Sequence, residues 1–215
     1  MYQAKRRRCF RRPFMRFRWK TGICIAFLAV LYVSGCATAP PYKPVVTPVK
    51  PPAIKKEQPY IIRQLDRYSV REWKYIVIHH SASDSGNAAK FDKYHRENNH
   101  WENGLGYHFV IGNGHGSGDG QIEIGNRWIK QIDGAHANAH EYNHFGVGIC
   151  LVGNFNDTKP TANQMASLIT LVAYLRERCK IPSEKIIPHK SVRGTECPGR
   201  NFPYYKLLAE IARYQ

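Results

Sequence analysis

The chain has 215 residues, 32 of them Lys or Arg and 16 Asp or Glu, for a formal net charge of +16. Nine of those charges (Lys5, Arg6, Arg7, Arg8, Arg11, Arg12, Arg16, Arg18 and Lys20) stand in the first 20 residues, which leaves +7 for the rest. A surplus that thin reads as a solvated face or a mild preference for a carboxylate-bearing polymer; it says little for nucleic acid, which is not an expected partner.

The front of the chain reads as a processing signal, residues 1–35. A basic segment without acidic residues precedes an apolar core, Thr21 to Val33, that is too short to span a bilayer, which takes about 20 residues. Val33-Ser34-Gly35-Cys36 then resembles the lipobox of bacterial lipoproteins. That resemblance implies cleavage before Cys36, a thioether-linked lipid on its sulfur and a membrane anchor. An ordinary signal peptide, or an uncleaved anchor with Cys36 incidental, is the alternative. Ala37 resembles the pattern sorted outward, so the expected location is the periplasmic face of the outer membrane. Arg11-Arg12-Pro13-Phe14-Met15-Arg16 also resembles a twin-arginine export signal, although chance matches are common in so arginine-rich a segment.

Residues 36–59 follow as the lipidated cysteine and a proline-rich tether, extended at about 3 Å per residue. Lys43, Lys50, Lys55 and Lys56 against Glu57 place +3 of the remaining charge there. Residues 60–215 make one domain of ordinary size, with no internal repeat.

Within that domain Tyr75 to His79 is a short buried strand, β-branched and apolar. Asn87 to Asn98 predicts a helix with Phe91, Tyr94, His95 and Asn98 on one face. Tyr107 to Ile111 is a second strand, followed by a glycine-rich loop over 112–120 and a further strand, Gln121 to Ile124. Val147 to Val152 is another apolar strand. Thr161-Ala162-Asn163-Gln164 is a capping-box pattern that opens a helix carrying Met165, Leu168, Leu171, Val172 and Leu175. Pro182 stops the chain from continuing that helix, Ile186-Ile187 forms a strand, and a last helix begins near Pro203. Strands interspersed with helices predict an α/β fold, a mixed central sheet flanked by helices.

The chemistry concentrates in His79-His80, at the end of the first strand, and in His189 and Cys197 within the stretch from Pro188 to Gly199. One imidazole of the pair, His189 and a Cys197 thiolate make three N/S ligands, the number and type that a catalytic zinc takes with its fourth position left for water. Strand alternation points His79 and His80 to opposite faces, so one of them reaches the site and the other serves as a nearby polar contact. A structural zinc would call for four protein ligands; His80 or His136 would have to be the fourth.

Five segments, in order, resemble the zinc-dependent N-acetylmuramoyl-L-alanine amidases, a family that includes amidase-type phage lysozymes and peptidoglycan-recognition proteins. They are Ile76-Val77-Ile78-His79-His80-Ser81-Ala82, Gly106 to Ile111, Gly134-Ala135-His136-Ala137, Phe145 to Asn154, and Pro188 to Gly199. The resemblance implies a zinc hydrolase that cleaves the bond between the lactyl group of N-acetylmuramic acid and L-alanine. It assigns Zn2+ to His79, His189 and Cys197. It places Tyr107 beside the zinc-bound water, and Thr195 where phage members carry lysine and recognition proteins threonine. His136 is expected to line the cleft and, with Asn154, to touch substrate. His108 is expected to be a satisfied core or supporting group.

Family members that bind muropeptides without cutting them commonly lack a ligand, often the cysteine, so the complete set here favours catalysis. The expected partners are peptidoglycan or muropeptides, and the membrane through the lipid on Cys36. Nothing asks for a second chain, so a monomer is expected. Cys150 and Cys179 remain; they are either a disulfide in an oxidising compartment or two small buried hydrophobes.

Overall fold

The computed structural model describes residues 58–214; the expected processing signal, Cys36 and most of the expected tether lie outside the described residues. Five strands form one sheet: β1 (Tyr75–His80), β2 (Phe109–Ile111), β3 (Ile122–Ile124), β4 (Gly146–Leu151) and β5 (Ile186–Pro188), in the order β3-β2-β4-β1-β5. β1 lies parallel to both β4 and β5, and β2 parallel to β4, while β3 pairs antiparallel with β2 at one edge. The sheet is therefore mixed, as the sequence predicts. Strands β1 and β4, two of its three inner strands, are buried on both faces, which explains their near-continuous apolar sequence.

Among the described residues six α-helices flank it: α1 (Gln58–Leu65), α2 (Ala88–Asn99), α3 (Asn126–Lys130), α4 (His140–His144), α5 (Ala162–Cys179) and α6 (Tyr204–Ile211). The main core joins Ile76 and Ile78 of β1, Phe109 and Ile111 of β2 and Val147, Ile149 and Leu151 of β4 to Leu168, Leu171, Val172 and Leu175 of α5 and Leu207 and Ile211 of α6. The α5 residues recur at three and four, which is the spacing that lays one helical stripe on a sheet. Each such fully buried side chain contributes about 1.5–3 kcal/mol relative to exposure.

α5 starts with the expected capping box. Thr161 Oγ1 accepts the Gln164 N–H at 2.9 Å, and Gln164 Oε1 accepts the Thr161 N–H at 3.1 Å. The Gln164 amide nitrogen then donates to the carbonyls of Ile111 and Val152 at 3.2 and 2.8 Å, tying the helix to the carboxyl ends of β2 and β4.

One boundary departs from the sequence reading, and two further details sharpen it. The second strand begins at Phe109 rather than Tyr107. There the His108 ring takes the place of a main-chain acceptor: Nδ1 accepts the Gly148 N–H at 2.9 Å while the His108 N–H donates to the Gly148 carbonyl at 2.9 Å. Helix α2 has no buried residue, and Tyr94 is exposed. It is fastened by Ala88 and Phe91 packing against Leu105, Val110 and Val152 and by polar contacts, Asp92 Oδ1 accepting the Leu105 N–H at 2.8 Å and His95 Nδ1 the Gly106 N–H at 3.2 Å. Cys150 and Cys179 are both free thiols, so the hydrophobe alternative describes them.

Candidate metal centre

Three elements bring the ligand set together. β1 carries His79 to the carboxyl end of the sheet, and β5 runs beside it to deliver His189, which opens a short 3-10 turn (His189–Ser191). The loop that follows returns Cys197 to the same place, held by a Lys190 N–H bond to the Cys197 carbonyl at 2.7 Å. One ligand atom from each of His79, His189 and Cys197 lies within 4.8 Å of the others. His79 Nδ1 stands 3.7 Å from Cys197 Sγ. Ordinary zinc–nitrogen and zinc–sulfur bonds in a tetrahedron place two such ligands about 3.6 Å apart, so the spacing and the donor types fit zinc.

His80 turns the other way, as strand alternation requires. Its Nδ1 accepts the Phe155 N–H at 3.1 Å, and its ring packs near Phe155. Its main-chain N–H nevertheless donates to Cys197 Sγ at 3.4 Å.

Burial makes the metal-free centre neutral. It drives His79 well below its usual range, helped by His136 and His189, and lowers His189 as well. His136 falls to about 3 through burial, opposed by its bond to the Gly146 carbonyl. The Cys197 thiol is pushed up to about 12 by burial, with the His80 N–H pulling the other way. Lone pairs on two imidazoles are ready for a metal, and a divalent cation displaces the thiol proton as it binds.

Tyr107 borders the cluster, its ring centroid 5.3 Å from that of His79. Burial raises its hydroxyl well above the usual value, and the neighbouring Cys150 side chain acts in the same direction. Thr195 Oγ1 accepts the Cys197 N–H at 3.2 Å, so the threonine sits against a ligand. His136, expected on a cleft wall, is only 8% exposed. Its Nδ1 meets His79 Nε2 at 3.0 Å and its Nε2 meets the Gly146 carbonyl at 3.2 Å, so neither nitrogen is left for a substrate. His108 is fully buried and satisfied by Gly148 and by the Ile132 carbonyl at 3.3 Å.

Asn154 spends its carboxamide on its own loop, donating to Asp157 Oδ2 at 2.6 Å and accepting from the Asn156 N–H at 3.2 Å. It lines a groove of about 390 Å³ beyond the ends of β1, β2 and β4, with Asp84, Asn113, His115 and Lys159. Two residues of this neighbourhood escape sequence reading: Cys150, register partner of His79, and Asn143, whose Oδ1 accepts the N–H of both His136 and Ala137 at 2.9 Å. A glycine within the apolar β4 run was the available signal, because Gly148 leaves the space that the His136 ring fills.

Residues 69–200 match the sequence signature of the family described as N-acetylmuramoyl-L-alanine amidase. A peptidoglycan recognition protein of Trichoplusia ni is 30% identical over 157 residues, 68% of this chain and 78% of that one. Among solved structures, the endolysin N-acetylmuramoyl-L-alanine amidase LysCS of Clostridium intestinale URNW is 36% identical with a TM-score of 0.57, over 66% of this chain and 84% of that one. Peptidoglycan recognition protein-LE, solved with tracheal cytotoxin, a monomeric diaminopimelic acid-type peptidoglycan, is 28% identical with a TM-score of 0.53, over 64% and 81%.

Proposed function

Because the chain belongs to the N-acetylmuramoyl-L-alanine amidase family, we propose that it is a zinc-dependent amidase that cleaves between N-acetylmuramic acid and L-alanine in peptidoglycan or its muropeptides. The observation that carries this reading is the complete donor set, His79, His189 and Cys197, gathered within 4.8 Å. Three protein ligands leave a position open, which distinguishes a catalytic from a structural centre.

Zinc held there supplies Lewis-acid chemistry, polarising the amide carbonyl and making water nucleophilic at neutral pH. The protein's own groups do the rest. The His80 N–H, donating to Cys197 Sγ, stabilises negative charge on that sulfur. Tyr107, its hydroxyl held protonated by burial, acts as a hydrogen-bond donor rather than a base. The acceptor such a donor serves is the carbonyl oxygen as it gathers negative charge. Thr195, its oxygen engaged by the Cys197 N–H, keeps its hydroxyl hydrogen for the same oxyanion or for the attacking water. Asn154 and its groove offer a surface for the glycan or the stem peptide.

A non-catalytic peptidoglycan-binding protein is the second reading, supported by the likeness to recognition proteins, one of them seen with a muropeptide. Mass spectrometry of purified peptidoglycan incubated with the protein, with zinc and with a chelator, separates the two. Stem peptides beginning at L-alanine and released only with metal are the amidase result. Intact muropeptides despite bound zinc give the recognition result.

The anchor is also part of the proposal: a lipid on Cys36 and the tether to residue 59 hold the domain off the periplasmic face of the outer membrane. No helix among the described residues is long and apolar enough to cross a membrane. Cys36→Ala should abolish acyl labelling and release the protein from the membrane fraction. Unchanged mass and unchanged fractionation would remove the anchor.

A further inference from the structure

The two histidine ligands each turn one ring nitrogen away from the ligand cluster, and both of those nitrogens end on one short segment. His189 Nε2 lies 3.3 Å from the Ala137 carbonyl, and His79 Nε2 lies 3.0 Å from Nδ1 of the neighbouring residue, His136. The second contact is unusual, because an imidazole can donate or accept there and its direction must be fixed by something else.

The far end of the His136 ring fixes it. Nε2 is 3.2 Å from the Gly146 carbonyl oxygen, which can only accept, so Nε2 carries a hydrogen. Among the described residues no carboxylate hydrogen-bonds His136 or His79, and an unpaired buried cation is costly, so the His136 ring is neutral and Nδ1 is a bare lone pair. His79 Nε2 must then donate to it. That leaves the lone pair of His79 on Nδ1, the nitrogen that faces Cys197 Sγ at 3.7 Å. His189 reaches the same state more simply, its Nε2 hydrogen committed to the Ala137 carbonyl.

We infer that His136 is a positioning residue: by accepting from His79 Nε2 and donating to the Gly146 carbonyl, it fixes the His79 tautomer and ring orientation for metal before the metal arrives. The surrounding chain is built to hold it there. Asn143 Oδ1 accepts the N–H of both His136 and Ala137, so one side-chain oxygen registers the supports of both histidine ligands. In β4 a Cβ on Gly148 would stand 2.4 Å from His136 Cδ2, and a Cβ on Gly134 would stand 2.3 Å from the same atom. The ring occupies space that both glycines leave open. Groups that orient a metal-binding histidine typically change metal affinity 10–100-fold when removed.

The inference rests on the reading of His79 as a metal ligand, and its test separates the two. In the full chain, purified in detergent and stripped of metal, 15N NMR of the histidine rings should show His79 and His136 both protonated at Nε2. This measurement needs neither zinc nor substrate, so it decides the point even if the protein proves not to hydrolyse peptidoglycan. A His79 ring protonated at Nδ1 would overturn it. Zinc competition against a chromophoric chelator then compares two variants. His136→Leu removes the acceptor and should raise the zinc Kd about 10–100-fold. His136→Asn keeps an acceptor oxygen close to the Nδ1 position and should restore most of that loss. A leucine variant that binds zinc like the wild type, or an asparagine variant no better than leucine, would show that the ring only fills space.

Discussion

The main-chain N–H of His80 donates to the sulfur of Cys197 at 3.4 Å, although the His80 imidazole points to the opposite face of the sheet. One residue thus supports a ligand through its backbone and the core through its side chain. Burial holds the Cys197 thiol at about 12 without metal, so zinc must displace its proton, and the N–H bond eases that step. Cys197→Ser keeps size and hydrogen bonding but replaces a soft ligand with one that zinc binds poorly. It should lose zinc and amidase activity while retaining muropeptide affinity, since the groove along Asn154 is untouched. Calorimetry with a muropeptide, beside zinc analysis of the purified variant, checks both halves. Full amidase activity in a zinc-free serine variant would detach the chemistry from this centre.

Tyr107 gives a different signature. Its hydroxyl is protonated at neutral pH, so its contribution is a donor aimed at charge that develops only during reaction. Removing one such donor typically costs about 10²–10³-fold in kcat. Tyr107→Phe should show that loss with KM and zinc content near wild type, in steady-state assays on a soluble muropeptide. A raised KM with unchanged kcat would instead make Tyr107 a ground-state contact.

Much of this centre is legible in the sequence, because its ligands are rare residue types at the ends of strongly apolar strands. His79 at the end of β1 and His189 after β5 need only short-range reading, and the capping box of α5 is where Thr161 and Gln164 place it. The supports are not legible in this way. His136 reaches His79 across 57 residues of chain, and His108 enters the sheet through its ring nitrogen, so periodicity carries no trace of either contact. Helices α3 and α4 have five residues each, too short for a 3.6-residue period to declare itself. In α2 the face of Phe91, Tyr94, His95 and Asn98 is only partly covered: Phe91 packs against Leu105, Val110 and Val152, and polar bonds from Asp92 and His95 do the rest.

Three of the four buried histidines among the described residues give the metal-free fold a defined acid weakness. Burial is the leading cause that lowers His79, His108 and His136, the last to about 3. In the unfolded chain each returns to about 6.5, so below that pH the unfolded state binds more protons than the folded one. Their contribution is complete above about 6.5 and is lost as pH falls below it, by up to about 1.4 kcal/mol per pH unit for each ring while it remains neutral. Urea midpoints of the chelator-treated protein should hold between about pH 7 and 8 and fall steeply below about pH 6. A midpoint unchanged down to about pH 5 would mean that these rings are not buried neutral in solution.

Thr195 stands between two roles, and its geometry allows both to be measured. Its Oγ1 accepts the Cys197 N–H at 3.2 Å, which steadies the ligand, and its hydrogen remains available to the reacting oxygen. Thr195→Ser preserves both and should stay close to wild type. Thr195→Val preserves shape and loses both, leaving the Cys197 N–H without its acceptor, at a cost of about 1–3 kcal/mol in stability or zinc affinity. If the hydroxyl also donates to the oxyanion, the fully zinc-loaded valine variant should lose a further 10²-fold or so in kcat. Measuring kcat at saturating zinc separates the two effects. A valine variant that regains wild-type kcat once loaded would confine Thr195 to holding Cys197 in place.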